Sequence, residues 1–370
     1  MINEAAPPRV TIVVATYNRP EVLTQAILSV IRQTVQDWVM LIVGDSCDER
    51  TGAAIDAIGD PRIHYLNLQD RCGEQSGPNA VGLSAVFTDY VALLNHDDIW
   101  LPTHLETALA ALEGGKADLY CGAIGVTTFA TDRATGVRSP AFIATTPTGR
   151  TFDMAFHRNC TYFEPASTWV MRRSVVEVVG LWQPAAALHR TPLTDWLLRA
   201  WRQDVKAVFA DAPTAIYCDA EKSNVANRKG EEAPVMYDWN DGEQAYWNDF
   251  IEKQGADAVL QLMKLQPQEM SRTSEIFQDQ TFPEQVQWVF ETYLNPANAR
   301  LYKVYGWDAF VQACVLTKRP PGISLQAMLK RRTGEALKPR ETWKQVIDRA
   351  LEQLEQHPSW QQLRRQSGVA

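Results

Sequence analysis

Strand-length apolar runs alternate with helix-length amphipathic segments over the first 112 residues of the chain. The runs predicted as strands are Val10–Thr16, Trp38–Val43, Ile63–Leu68 and Tyr90–Leu94, and the segments predicted as helices are Glu21–Gln33, Thr51–Ile58, Gly82–Phe87 and Pro102–Leu112. Alternation in units of about 30 residues is typical of a parallel sheet with right-handed crossover helices. The sequence therefore predicts an α/β fold whose mostly parallel sheet is flanked by helices.

Residues 120–240 have mixed character, and the pattern changes again after Gly230. In the middle segment, Trp169–Arg172 is β-prone, whereas Ser174–Val179 and Trp196–Trp201 favour short helices. Later in the chain, helical periodicity recurs at 243–264, 284–294, 300–316 and 341–356, and β-branched runs vanish. We therefore predict a domain at 1–240 and a helical C-terminal region at 241–370.

Composition limits the classes of partner and the cellular compartment. The formal net charge is −8, so no global attraction to nucleic acid is expected. Hydrophobic residues make up 45% of the chain, which suffices for a sizeable core without covalent staples. The six cysteines form no C-x-x-C pair, no signal-peptide pattern is visible in Met1–Arg9, and the longest apolar runs are strand-length. We expect a cytoplasmic protein with reduced thiols.

Polar clusters follow three of the predicted strands, at 16–19, at 45 and at 95–98. Ligands of such sheets bind beyond the carboxyl ends of the strands. Adjacent carboxylates at Asp97 and Asp98 suit Mg²⁺ or Mn²⁺ with positions left open for phosphate oxygens and water. The alternative is that Asp98 only caps the next helix and that Asp97 is a solvated loop residue.

Five motifs occur in order over residues 8–220. They are Ala15–Arg19 with the helix ending in Ser29–Gln33, Val43–Thr51, Leu94–Pro102, Ser167–Ser174 with Gly180–Trp182, and Thr194–Arg199. Together they resemble glycosyltransferase family 2, whose members have a GT-A fold. The resemblance implies an inverting transfer of a sugar from a nucleoside-diphosphate donor.

The resemblance also implies a nucleotide-sugar site at the carboxyl edge of the sheet. Its residues would be Thr16, Tyr17, Asn18, Arg19, Asp45, Asn79, Asn95, His96 and Asp97. The loop 16–19 and Asp45 would hold the base, with Tyr17 able to stack on it. Asp97 and Asp98 would hold the metal, Mg²⁺ or Mn²⁺, in an order that the sequence leaves open, and His96 would position rather than ligate.

Asp195 would be the general base that takes the acceptor hydroxyl's proton. A single carboxylate opposite the leaving group is enough for one displacement. Its alternative role is an N-cap for the helix Trp196–Trp201. Trp169 and Trp182 fit either an acceptor sugar or core packing.

The chain departs from the family pattern at several positions. Asn95 replaces the first aspartate of the metal motif, and Asn79 stands where an arginine is usual. Thr194 replaces a glutamate beside the base, and Ile216–Glu221 lacks a histidine that often completes the metal shell. These departures leave the donor sugar open.

We expect transfer of a hexose-type sugar, with UDP as the nucleotide, in the assembly of cell-surface polysaccharide or other glycans. One alternative is a catalytically inactive scaffold that binds nucleotide or sugar on the same fold. A nucleotidyltransferase is disfavoured because Ala15–Pro20 contains no glycine for a phosphate loop.

A basic stretch lies at 318–344, which contains eight basic residues and two acidic ones. Such a stretch could contact an anionic membrane surface and bring the enzyme to a lipid-linked acceptor. It could equally be a solvated helical face. The acceptor is therefore expected to be a glycan or a lipid-linked sugar, with peripheral contact at the inner face of the membrane as an open question.

Overall fold

A computed structural model describes most of the first 218 residues and two later segments of the chain. The described ranges are 7–131, 134–146, 148–150, 165–184, 192–218, 242–265 and 340–366. The predicted helices at 284–294 and 300–316, and most of the basic stretch at 318–344, lie outside these ranges. Within them, no helix is both long and apolar enough to cross a membrane.

The described strands form one mixed sheet. They are β1 (Val10–Thr16), β2 (Trp38–Gly44), β3 (Ile63–Asn67), β4 (Tyr90–Asn95), β5 (Ile99–Trp100), β6 (Leu119–Thr131), β7 (Arg138–Thr145), β8 (Trp169–Arg172) and β9 (Ala207–Cys218). Their order across the sheet is β3-β2-β1-β4-β8-β6-β9-β5, with β7 paired to β6. The pairs among β1, β2, β3 and β4 are parallel, whereas β8 runs antiparallel to both β4 and β6.

The described helices flank this sheet and extend beyond it. They are α1 (Pro20–Ile31), α2 (Glu49–Ile58), α3 (Ser76–Ser84), α4 (His104–Glu113), α5 (Arg173–Val179), α6 (Pro192–Arg202), α7 (Glu243–Gln254), α8 (Ala256–Lys264), α9 (Arg340–Glu355) and α10 (Pro358–Gln366). A short 3₁₀ turn, Ala166–Thr168, leads into β8.

Strand β1 contributes to the core on both of its faces, which explains its continuous apolar sequence. Val10, Ile12 and Val14 pack in the cluster that contains residues of α1 and α4, whereas Val13 packs on the other face against α3. Contact with α3 is close at Gly82, where an added Cβ would lie 2.2 Å from Val13 Cγ1. A strand buried on both faces reads as a near-continuous hydrophobic run.

The later helices pack on the sheet at two places. Helices α9 and α10 contribute Ala350, Leu354 and Trp360 to the cluster that covers the apolar residues of β2 on the α3 face. Helices α7 and α8 pack by Trp247 and Met263 in a separate cluster with residues of β5 and β9. Both parts of the later chain are therefore joined to the sheet through buried apolar contacts.

The predicted GT-A-like α/β fold with helices flanking the sheet is confirmed. The sheet is parallel among β1, β2, β3 and β4 but mixed beyond them, rather than mostly parallel throughout. Strand β1 has the predicted bounds, and the first helix and second strand differ by only a few residues from the prediction. The predicted helix at Gly82–Phe87 is wrong, since α3 spans Ser76–Ser84 and ends before Phe87. The division at 240 and 241 stays a prediction.

Candidate functional site

The polar loops predicted as a ligand site lie at one edge of the sheet. Thr16 is in register with Gly44 of β2, and Ala15 is in register with Asn95 of β4. The three strands are parallel, so the loops that follow them leave the sheet on the same side. This arrangement places loop 16–19, Asp45 and the turn 95–98 next to one another.

Arg19 ties the first loop to the turn at 95–98. Its Nη1 lies 3.0 Å from Asp97 Oδ2 and 3.4 Å from His96 Nε2, and its side chain is only 8% exposed. Asp97 remains 24% exposed, so it is neither buried nor a freely solvated loop residue. Burial lowers the pKa of His96, and although Asp97 opposes this effect, the nearby Arg19 adds to it. The neutral imidazole is therefore favoured beside the ion pair.

Asp98 occupies a different environment from its neighbour. Its carboxylate is fully buried, and its Oδ2 accepts hydrogen bonds from Ser167 Oγ and, at 3.2 Å, from Asn95 Nδ2. Burial raises the pKa of Asp98 well above its ordinary value, and the adjacent Asp97 adds to this effect. Helix α4 begins at His104 with Thr103 at its N-cap position, so Asp98 does not cap it. Asp98 therefore stabilises the turn through its buried hydrogen bonds to Ser167 and Asn95.

Ser167 is a site residue that the sequence did not single out. Its Oγ accepts a 3.0 Å hydrogen bond from the backbone nitrogen of Asn95, and its carbonyl oxygen accepts one of 2.5 Å from Trp100 Nε1. The reversed direction of β8 brings the residues before it to the carboxyl end of β4. No local pattern in the sequence indicates this contact, because the partners are about 70 residues apart.

Asp45 and Asn18 connect neighbouring loops rather than facing open solvent. The Asp45 carboxylate accepts hydrogen bonds from the backbone nitrogens of Cys72 at 2.5 Å and Gly73 at 2.8 Å. Asn18 adopts a positive φ of 43°, and its Oδ1 accepts a 2.8 Å bond from the backbone nitrogen of Asp48. These bonds hold together the loops that follow β1, β2 and β3, where the nucleotide base was expected to bind.

Arg71 is a second residue that the sequence analysis missed. Its guanidinium carbon lies 3.8 Å from the centroid of the Tyr17 ring, and it directly precedes the amides that Asp45 holds. Thr16 is 2% exposed, and its Oγ1 has no hydrogen-bond partner in the described part of the chain. The Tyr17 ring and the Arg71 guanidinium therefore lie against each other. Thr16, next to Tyr17 in the chain, has a buried hydroxyl that no described residue uses.

Asn79 has a buried position on α3, one turn before Gly82, at 4% exposure. Its helix packs against β1 and β2. The position follows the loop that Asp45 anchors, so Asn79 lies on the first turns of a helix that begins after that loop.

Asp195 lies within helix α6, which begins at Pro192, so it is not an N-cap. Its Oδ2 is 2.9 Å from Arg199 Nε, and its side chain is 9% exposed. The next residue, Trp196, stacks on Trp169 with ring centroids 5.5 Å apart. Among the described residues, no hydrogen bond or ion pair joins Asp195 to the turn 95–98.

Trp169 and Trp182 serve core packing. They are 0% and 1% exposed and belong to the same apolar cluster as Trp196. Complete burial removes their ring faces from any acceptor sugar.

The donor set of the turn fits a cation that is shared with a substrate. No group of three or more His, Cys, Asp or Glu side chains in the described ranges is placed to hold a metal by itself. Mg²⁺ usually takes one or two carboxylates and completes its shell with phosphate oxygens and water. Asp97 provides one partly exposed carboxylate, whereas Asp98 is turned inward onto Ser167 and Asn95. The geometry favours Asp97 over Asp98 as the ligand.

Part of the chain matches the sequence model of a known protein family. The model of Glycosyl transferase family 2 matches residues 11–180. The succinoglycan biosynthesis protein ExoW of Rhizobium meliloti is 31% identical over 124 residues, which are 31% of this chain and 38% of that protein. The UDP-Glc:alpha-D-GlcNAc-diphosphoundecaprenol beta-1,3-glucosyltransferase WfgD of Escherichia coli is 27% identical over 103 residues, which are 28% of this chain and 40% of that protein.

These alignments span about two fifths of the relatives' own lengths. Among solved structures, S. aureus TarS 1-349 in complex with UDP-GlcNAc matches with a TM-score of 0.46 at 14% identity. That match covers 89% of this chain and 93% of the other.

Proposed function

Because residues 11–180 belong to glycosyl transferase family 2, we propose that this protein transfers a sugar from a nucleoside-diphosphate donor to an acceptor hydroxyl. One observation supports the proposal most strongly. At the carboxyl edge of the parallel strands, where such sheets bind ligands, the partly exposed Asp97 is held 3.0 Å from the buried Arg19.

The donor nucleotide is proposed to lie along loop 16–19 and the loop that Asp45 anchors. Tyr17 would stack on the base, and the loop that carries Arg71, which Asp45 anchors through Cys72, would close the other side. We propose UDP as the nucleotide, because the name of WfgD specifies UDP-Glc. Asn79 and Asn95 are proposed to line the same edge, although Asn95 also donates to Asp98.

Asp97 is proposed to hold Mg²⁺ or Mn²⁺ together with the donor diphosphate. When bound, the cation would stabilise the negative charge that develops on the leaving diphosphate. Arg19 fixes one Asp97 oxygen at 3.0 Å, which orients the carboxylate. The hydrogen bonds among Asp98, Asn95 and Ser167 would fix the turn on its buried side.

Asp195 is proposed as the general base of an inverting displacement. The 2.9 Å contact with Arg199 fixes Oδ2 and leaves the second oxygen to accept the proton of the acceptor hydroxyl. Arg199 is itself fixed by the carbonyl oxygens of Val179 and, at 2.9 Å, of Leu181. The carboxylate would therefore be presented in one orientation.

Polysaccharide assembly is the proposed context, because ExoW is named for succinoglycan biosynthesis and WfgD for an acceptor linked to diphosphoundecaprenol. We propose a glycan or lipid-linked acceptor and a cytoplasmic site of action. Contact of the basic stretch 318–344 with the inner membrane face is part of this proposal and is argued from sequence alone.

The test is isothermal titration of UDP and GDP into wild-type protein, Asp97→Asn and Asp118→Asn, with and without Mn²⁺. Asp118 is a matched control because it also pairs with an arginine, Arg172, at 3.7 Å, but away from the turn. We expect UDP to bind with Mn²⁺, at least roughly tenfold more weakly in Asp97→Asn and unchanged in Asp118→Asn. Binding of neither nucleotide would refute the proposal.

A second assay separates a transferase from an inactive scaffold. UDP release from a UDP-sugar in the presence of acceptor should fall at least ~100-fold in Asp195→Asn while UDP binding persists. A wild-type protein that binds UDP but never releases it from any UDP-sugar would be a scaffold instead.

A further inference from the structure

Helix α7 reaches the turn 95–98 from outside the segment that matches the family. Gln244, its second residue, is fully buried, and its Nε2 lies 3.0 Å from the backbone carbonyl oxygen of Asp97. The donor is an amide and the acceptor is a peptide carbonyl, so the contact fixes the main chain of the turn. It does not touch the Asp97 carboxylate, which stays with Arg19.

The position of α7 is set independently of the turn. Asn248, one turn further along, donates 2.9 Å hydrogen bonds to the carbonyl oxygen and Oε1 of Gln25, and its Oδ1 accepts one of 3.1 Å from Arg32. On the apolar side, Trp247 is 1% exposed in the cluster with residues of β5 and β9. The helix is therefore fastened to α1 and to the sheet before Gln244 makes its contact.

The second polar atom of Gln244 indicates that the residue is not there for stability alone. Its Oε1 is buried and has no hydrogen-bond partner in the described part of the chain. A buried acceptor without a partner costs folding free energy, whereas an apolar side chain of the same shape avoids that cost. Among the described residues, the one hydrogen bond of the Gln244 side chain is to the residue that carries the partly exposed carboxylate.

Asp97 is thus held at two points that act in different directions. Arg19 binds its carboxylate from loop 16–19, and Gln244 binds its carbonyl oxygen from α7. Fixing both ends of one residue sets the direction in which its free carboxylate oxygen points. That direction would matter for the diphosphate and metal but not for the nucleotide base, which is proposed to lie against loop 16–19 and the loop that carries Arg71.

We propose that Gln244 is a positioning residue for the diphosphate and metal end of the donor site, so that the later chain completes a site built in the family segment. The inference rests on the proposed function. It places α7 within the donor site through a main-chain contact and assigns Gln244 no direct contact with substrate.

The experiment compares wild-type protein with Gln244→Met and with the control Gln25→Met. The control also replaces a glutamine by methionine, but in the contact between α1 and α7 rather than at the turn. The bonds of Asn248 to the Gln25 carbonyl oxygen and to Arg32 remain, so α7 keeps its place. Isothermal titrations with Mn²⁺ measure UDP and uridine, because only UDP has the diphosphate. Hydrogen exchange of peptides covering 95–101 is followed in the nucleotide-free proteins.

Gln244→Met should raise the Kd for UDP roughly three- to tenfold, the effect of one lost hydrogen bond, and leave the Kd for uridine unchanged. Exchange at 95–101 should become faster in this variant only. Gln25→Met should match wild type in both ligands. If Gln244→Met does not fold, Gln244→Asn, whose amide is one methylene too short, replaces it.

Unchanged UDP affinity and exchange in Gln244→Met would overturn the inference and leave the proposed function intact. Equal weakening of UDP and uridine would overturn it too, because the defect would then be a general loosening of the site. A wild-type protein that binds neither ligand would overturn the proposed function and this inference with it.

Discussion

His104 provides a stability prediction whose size follows from its surroundings. The ring is fully buried at the start of α4, 4.3 Å from the Trp100 ring between centroids, with Nδ1 2.8 Å from Thr214 Oγ1. Burial lowers the pKa of His104 from 6.5 to about 3. The unfolded chain therefore binds a proton near pH 6.5, and the folded protein does not until the pH is near 3.

A group whose folded-state pKa is lowered in this way leaves the stability unchanged above pH 6.5, where both states are neutral. As the pH falls from 6.5 toward 3, only the unfolded chain takes up the proton, so the free energy of unfolding decreases. The loss is about 1.4 kcal/mol per pH unit in that window, so the free energy of unfolding drops by about 2 kcal/mol between pH 8 and pH 5 because of His104. In His104→Asn this part of the drop should vanish.

Urea unfolding followed by tryptophan fluorescence, at pH 8 and at pH 5, measures the drop in wild type and variant. Any constant cost of the substitution cancels, because each protein is compared with itself. His64, whose pKa burial lowers to about 4 beside Trp360, should contribute a separate drop that His104→Asn retains. An equal drop in wild type and His104→Asn would refute the argument.

Two further changes test the packing and the donor edge. Gly82→Ala should destabilise the protein by about 1–2 kcal/mol, since overpacking against Val13 outweighs the gain in helix propensity. A double-mutant cycle with Val13→Ala should show favourable coupling, and simple additivity would contradict this explanation. Arg71→Ala should weaken the binding of UDP and of uridine alike, each roughly fivefold, because Arg71 stacks on the Tyr17 ring and is proposed to close the base side of the site. Arg62→Ala, which removes an arginine stacked 3.7 Å from the Trp38 ring, is the control, and tighter uridine binding to Arg71→Ala would show that Arg71 merely covers Tyr17.

The parallel half of the fold could be predicted because its signals are local. A strand buried on both faces requires a continuous apolar run, and Val10–Thr16 provides one with its observed bounds. The start of helix α3 was misplaced: Gly77 and Pro78 are residue types common in turns, yet both lie in the first turn of this helix, where proline costs no hydrogen bond. The later strands β6 and β9 were not delimited. Glycines and threonines interrupt the apolar residues of β6 although most of the strand is buried, and β9 mixes buried and exposed residues without strict alternation.

The site was predictable only as far as its residues follow strands in sequence. The turn 95–98 and Arg19 come directly after β4 and β1, so parallel pairing brings them together. Ser167, Arg71 and Gln244 reach the same edge through an antiparallel strand, a loop and a distant helix. Contacts of this kind depend on the tertiary fold, and no spacing in the sequence encodes them.

The reversed strand β8 also has a consequence for how such a protein can be changed. In a fully parallel sheet, only segments that follow strands open onto the ligand edge, and the segments that precede strands open onto the opposite edge. Here β8 runs against β4, so the chain that enters it arrives at the ligand edge, and Ser167 is the point of arrival. A new recognition loop could therefore be inserted before Ser167, whose hydrogen bond to the backbone of Asn95 would hold the end of the insert at the turn. The βα loops that carry Arg19 and Asp97 would not be changed.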